Sequence, residues 1–172
     1  MPAEKFGFVV LNNANDGVLN EAVKRALLAT RAGRDGLVEI TRLAAVKQRI
    51  DQRERETVKR REAARQPDTH PSLPATAYVG SYVDAIYGPA QIAAAGEQLT
   101  ITLLPSRRRL HGALQHWHHD TFRVDWPDKF LPFGLVRFEI DHEGKVAGFR
   151  IDCPIADFDF AALDFRRQNQ PK

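Results

Sequence analysis

Cysteine occurs once in the 172 residues, at Cys153, so no disulfide can form within the chain, and the redox compartment stays open. Beside Pro154 and without a nucleophile signature around it, that thiol reads as packing. Serine is almost as scarce. Ser72, Ser81 and Ser106 are the three, and none begins Ser-x-x-Lys or stands within Gly-x-Ser-x-Gly, so no serine nucleophile is recognisable. No glycine-rich loop offers a cradle for phosphate. No stretch approaches the roughly 20 apolar residues of a membrane span, and Met1-Pro-Ala-Glu-Lys5 lacks the apolar run of a signal peptide. An excess of one charge is missing too: 25 Lys and Arg against 22 Asp and Glu give a formal net charge of +3. The residues therefore predict a chain with no catalytic residue, no cofactor and no membrane span.

What is present is ordinary for a packed protein, with 43% hydrophobic and 27% charged residues. Phe6 to Leu11 is a continuous apolar run that reads as a strand covered on both faces, followed by turn chemistry from Asn12 to Gly17. Leu19, Val23, Ala26, Leu27 and Thr30 then recur at helical spacing, and Gly33 is placed to end that helix. One strand and one helix cannot close a core, so this pair needs partners from elsewhere. Leu37 to Arg65 is free of Pro and Gly and predicts a long helix, with Ile40, Leu43, Val46 or Lys47, and Ile50 as a narrow apolar stripe. From Asp51 to Gln66 six basic and four acidic residues accompany only Val58, so that half is solvated or bridges two bodies.

Three prolines between Gln66 and Ala75 mark a linker. Beyond it, short β-like runs follow at 78–83, 90–94, 98–103, 109–115, 121–124, 135–140, 145–151 and 157–160, which predicts an antiparallel barrel or sandwich of about eight strands. Ala95-Gly96-Glu97 and Asp141-His142-Glu143-Gly144 have the chemistry of hairpin turns, the second with a glycine bulge.

His116-Trp117-His118-His119-Asp120 is the one cluster rich in metal-ligand chemistry, and His116, His118 and Asp120 would share a face of a strand. Further ligands are scarce, since only His70, His111 and His142 remain among the histidines. The competing reading is a strand end around a buried Trp117, with Trp117 pointing into the barrel, His116 and His118 outward, and the strand ending near His118. Arg53 to Arg65 and Arg107-Arg108-Arg109 raise nucleic-acid binding as a further class. Glu54, Glu56 and Glu62 interrupt the first run at ion-pair spacing, and the second reads as a solvated hairpin tip, so no nucleic-acid partner is expected.

Tyr78-Val-Gly80-Ser-Tyr82, Tyr87-Gly88, Leu99-Thr-Ile101, His116-Trp117 with Asp120-Thr-Phe122, Val136-Arg-Phe138 and Asp141-His-Glu-Gly144-Lys145-Val146 follow one another in order. Together they resemble the lipocalin-like C-terminal domain of beta-lactamase-related, penicillin-binding-protein-like serine hydrolases. Gly7-Phe-Val-Val-Leu-Asn12-Asn13 with its helix looks like the last strand and helix of the catalytic domain of such enzymes. The resemblance implies a mainly β fold with α: a small antiparallel lipocalin-like barrel of about eight strands behind a long charged helix and an orphan strand-helix pair. It divides the chain into 1–36 from a catalytic domain, 37–75 as connecting helix and linker, 76–161 as barrel, and 162–172 as tail. It also implies a parent that acylates a serine on an amide or ester substrate, with its catalytic motifs outside this chain. The partners implied are the parent's catalytic domain and a second copy of the chain. A small-ligand-binding barrel is the alternative, although Tyr78, Tyr82, Trp117, Phe122 and Phe138 are large enough to fill the interior.

Overall fold

The computed structural model describes residues 5–13, 17–155 and 158–168, in two compact units divided between Ala64 and Arg65. The first unit is a helical hairpin. α1 (Gly17–Arg31) ends where predicted: Gly33 has φ of 71°, the Arg34 N–H donates to the Ala29 carbonyl at 2.9 Å and the Gly33 N–H to Thr30 at 3.0 Å. Asp35 accepts a hydrogen bond from the Leu37 N–H at 2.8 Å and so starts α2 (Gly36–Ala63). Leu43 is buried, whereas Ile40, Val46 and Ile50 of the same stripe stay exposed.

The expected strand at 6–11 is a correction: these residues form no strand, and the predicted turn at 14–16 lies outside the described residues. A strand must hand its N–H and C=O groups to a neighbour, and no strand among the described residues pairs with this segment. Val9 and Leu11 are left 80% and 89% exposed.

The second unit is a closed barrel in which the described strands pair in sequence order: β1 (Gly80–Asp84), β2 (Gly88–Ala95), β3 (Gln98–Leu103), β4 (His111–His118), β5 (Thr121–Val124), β6 (Gly134–Ile140), β7 (Val146–Asp152) and β8 (Phe165–Arg167). Every pair is antiparallel, as hairpin connections require. At Gly144 φ is 76°, the Gly144 N–H donates to the Asp141 carbonyl at 3.0 Å, and the Asp141 N–H donates to the Lys145 carbonyl at 2.8 Å. That is the glycine bulge read from the sequence.

Two elements differ from expectation. Tyr78 lies in the one-turn helix α3 (Ala75–Tyr78) ahead of β1 rather than in the strand. The eighth strand is β8, not 157–160, of which Asp157 is outside the described residues. Asp159 instead accepts from the Ala161 N–H at 3.1 Å, which turns Phe160–Ala162 into a 3-10 turn. The closing strand therefore lies in the stretch expected to be tail, pairing Phe165 with Phe149 and Arg167 with Tyr82.

Alternation fills the interior with aromatic rings. Tyr78 meets Phe138 at 4.8 Å between centroids, Tyr82 meets Phe149 at 5.0 Å, and Phe149 stacks on Phe165 at 4.7 Å. Ile92, Leu99, Ile101, Val124, Val136 and Ile151 complete the core. β8 can approach this closely because β7 carries Gly148 opposite it: a Cβ there would stand 2.3 Å from the Phe165 carbonyl oxygen.

Candidate functional site

A closed barrel of alternating strand direction has two ends, each gathering every second connection. One receives the linker and the β2–β3, β4–β5 and β6–β7 turns. The other gathers the β1–β2, β3–β4, β5–β6 and β7–β8 connections. The residues singled out in the sequence as a metal or motif cluster sit at the first end, on the β4–β5 hairpin.

Asp120 is the hub there. Its carboxylate accepts from the Ser72 N–H at 2.8 Å, from the Ser72 hydroxyl at 2.7 Å and from the Tyr78 hydroxyl. The Leu73 N–H donates to the same Tyr78 oxygen at 3.3 Å, and the Tyr82 hydroxyl donates to the Tyr78 carbonyl at 2.7 Å. Burial by itself would raise the Asp120 pKa, but the Tyr78 and Ser72 donors outweigh it and the carboxyl is held below its ordinary value. Burial, and then the neighbouring carboxylate, push the Tyr78 hydroxyl far above its usual range. Burial raises Tyr82 to about 12.

The histidines beside it also hold the linker. The Gln66 N–H donates to His118 Nδ1 at 3.3 Å, Gln66 Oε1 lies 2.9 Å from His119 Nε2, and the His119 N–H donates to the Thr69 hydroxyl at 3.2 Å. His116 Nε2 lies 3.0 Å from the His119 carbonyl. His119 has φ of 45°, a left-handed conformation in which histidine is enriched relative to other side chains. Burial, with His119, His116 and Arg65 nearby, lowers the His118 pKa and favours the neutral ring that accepts from Gln66. The structure thus spreads His116, His118 and Asp120 over different partners. Among the described residues no group of three or more His, Cys, Asp or Glu is arranged to hold a metal ion.

Trp117 requires a correction. His116 pairs with Phe122 and His118 with Thr121, so Trp117 is the extra residue of a β-bulge. Alternation counted from buried Leu114 already sets His116 on the inner face, 5.8 Å from Phe122 between ring centroids, and Trp117 outside the core cluster; the bulge then keeps His118, paired with Thr121, on the outer side as well. Only 7% of Trp117 is exposed nonetheless, because Phe133 packs at 5.7 Å and the Arg65 and Arg123 guanidiniums lie 5.4 and 5.9 Å from its ring. The Arg65 Nε–H also donates to the Trp117 carbonyl at 3.0 Å. The expectation took the inward face from the bulk of Trp117, whereas Leu114 and its partner Val124 define it.

Two further residues matter that composition did not single out. Asp84 is buried and accepts from the Ile86 N–H at 2.8 Å, the Tyr87 N–H at 2.7 Å and the Asp164 N–H at 2.7 Å. Burial opposes its ionisation, but these donors win and its pKa is lowered. Aspartate ahead of a turn is a readable signal, although its third bond to distant Asp164 is not. Arg167 donates to the Ala77 carbonyl at 2.9 Å and the Val79 carbonyl at 2.6 Å, tying β8 to α3, and its guanidinium stands against Gly80.

The family model described as "Domain of unknown function (DUF3471)" matches residues 64–169, more than half of the chain. The chain belongs to that family. DUF3471 is a C-terminal domain of beta-lactamase-like proteins. Its matched span takes in the linker, the barrel and β8. A solved structure described as the C-terminal domain of penicillin binding protein Rv0907 is similar at 24% identity over 61% of this chain and 94% of its own, with a TM-score of 0.47. No curated protein matches. Among the described residues no helix is long and apolar enough to cross a membrane.

Proposed function

We propose that this chain is the non-catalytic C-terminal accessory region of a beta-lactamase-like serine hydrolase, with its barrel docking on or orienting the catalytic domain. The observation that carries the reading is the apolar segment 6–11, which lies outside every strand among the described residues, in a chain whose residues 64–169 match DUF3471. A sheet that offers a free edge to residues 6–11 would bury Val9 and Leu11 and draw the segment into a strand. Residues 1–36 then complete the catalytic domain, 37–75 connect, and the lipocalin-like barrel follows. The latch around Asp120 supports this division of labour: its donors and acceptors are spent on fixing where the linker meets the barrel.

The test is to read the frame upstream of Met1 and to express the domain found there. The expected domain encodes Ser-x-x-Lys and Tyr-x-Asn and co-purifies with this chain, and Val9→Asp with Leu11→Asp abolishes that association. A stop codon directly ahead of a genuine start, with no such domain, would sink the proposal. The chain alone should show no hydrolysis of β-lactams, esters or peptides.

A second reading, a small-ligand-binding barrel, is favoured by one feature. A cleft of about 340 Å³ opens at the latched end, lined by Pro71, Leu73, Leu99, Leu114, His116 and Phe122 among others. A ligand seated there would raise the melting temperature in a way that Leu114→Trp, which fills the cleft, removes.

A further inference from the structure

The cleft at the latched end combines an apolar lining with polar groups of one kind. Leu73, Leu99, Leu114 and Phe122 supply the apolar part, and a volume of about 340 Å³ admits a small molecule. The donors along it are engaged within the protein. The Tyr78 hydroxyl donates to Asp120, and the Leu73 N–H donates to the Tyr78 oxygen at 3.3 Å. Gln98 Nε2 donates to the Leu99 carbonyl at 2.9 Å and the Leu114 carbonyl at 3.1 Å, which uses both of its hydrogens. His116 Nε2 faces the His119 carbonyl at 3.0 Å, so in the neutral ring this nitrogen carries the proton.

Acceptors are what remain. The two carbonyl contacts fix the orientation of the Gln98 amide and leave its Oε1 without a partner among the described residues. A His116 ring protonated at Nε2 keeps a lone pair at Nδ1. The Glu97 carboxylate enters no hydrogen bond or ion pair among the described residues. Glu97 is also the one carboxylate among the lining residues, and no Lys or Arg among them balances it. Only the Gln115 amide is uncommitted and able to present either end.

We propose that this cleft binds a small organic cation, an ammonium group carried on an apolar body. An ammonium has three donors and no acceptor, the complement of Glu97, Gln98 Oε1 and His116 Nδ1. A carboxylate or phosphate would meet a like charge at Glu97 and a single neutral amide at Gln115. A wholly apolar ligand would strip water from the three acceptors and return no hydrogen bond. The assignment rests on the cleft being a small-ligand site and names the class of ligand; it uses nothing from segment 6–11.

Phenylbutylamine, phenylbutanol and phenylbutyrate share one apolar body and differ in the head group. In calorimetric titration of the full chain at neutral pH, the amine should bind about ten-fold more tightly than the alcohol, and the carboxylate should give no heat of binding. Glu97→Gln should weaken the amine about five-fold and leave the alcohol unchanged. Because Glu97 is exposed, this variant should keep the parent melting temperature. In methyl NMR spectra the amine should shift Leu73, Leu99 and Leu114, which locates it without any substitution in the core. An alcohol that binds as tightly as the amine, or an amine affinity untouched by Glu97→Gln, would overturn the ammonium assignment while leaving a ligand cleft in place. No binding by any of the three probes, or methyl shifts confined to residues outside the cleft, would overturn the cleft as a ligand site and the ammonium assignment with it.

Discussion

Asp120 illustrates how a carboxylate can look like a ligand in sequence and act as a fastener in space. Its three donors come from the linker and α3, at sequence separations of 42 and 48. Its folded-state pKa is depressed, so the stability it contributes is fully present above the unfolded value, near 4, and is lost as pH falls through the folded value. Asp84 acts in the same direction. Asp120→Asn should therefore cost about 1.5–3 kcal/mol at neutral pH and less in acid, giving a flatter profile of melting temperature below pH 4 than the parent. An unchanged acid limb would show that the latch contributes nothing to stability. Trp117 and Phe149 make a second contrast at this scale. Phe149→Ala removes a ring from the centre of the core and should cost about 3–5 kcal/mol. Trp117→Ala uncovers an outer-face site that Phe133 and two arginine stems can partly refill, so its cost in chemical denaturation should be lower, about 2–3 kcal/mol.

Among the elements, β8 is the smallest and the one that closes the barrel. It contributes Phe165 to the core and Arg167 to α3, while Arg166 joins Glu139, Arg150 and Asp164 in an outer-face ion-pair network across β6, β7 and the approach to β8. Exposed pairs contribute little singly, so packing at Gly148 governs the closure. Gly148→Ala drives a methyl group into the Phe165 carbonyl and must push β8 outward. The expected loss is about 3 kcal/mol or more, together with faster amide exchange in β1 and β7, whose hydrogen bonds to β8 would open. Exchange confined to the turns would mean that the backbone adjusts elsewhere.

For the whole molecule, closure and latch together define the autonomous unit. A fragment of residues 65–168 retains both and should give a β-type circular dichroism spectrum with a cooperative melt. A fragment of residues 76–161 lacks Ser72, Thr69 and all of β8, and should remain unfolded or aggregate through its open edges. A cooperative melt of the shorter piece would show that seven strands suffice.

Local chemistry determined much of this chain. Turn residues and alternation located seven strands within a few residues, Gly33 and Gly144 marked a helix end and a bulge, and the absence of Pro and Gly predicted α2. Those signals survive because each is decided by the backbone preferences of a few neighbouring residues. Three features were decided only by tertiary structure. β8 is three residues long, too short for a periodic signal, and is ordered by β1 and β7 on either side. The bulge at Trp117 leaves His118 opposite Thr121 on the outer side, where strict alternation from His116 would turn it inward, and no alternating pattern can announce it. The apolar run at 6–11 has every local property of a strand and still forms none, because a strand is a relation between two segments and the described residues offer it no edge to join.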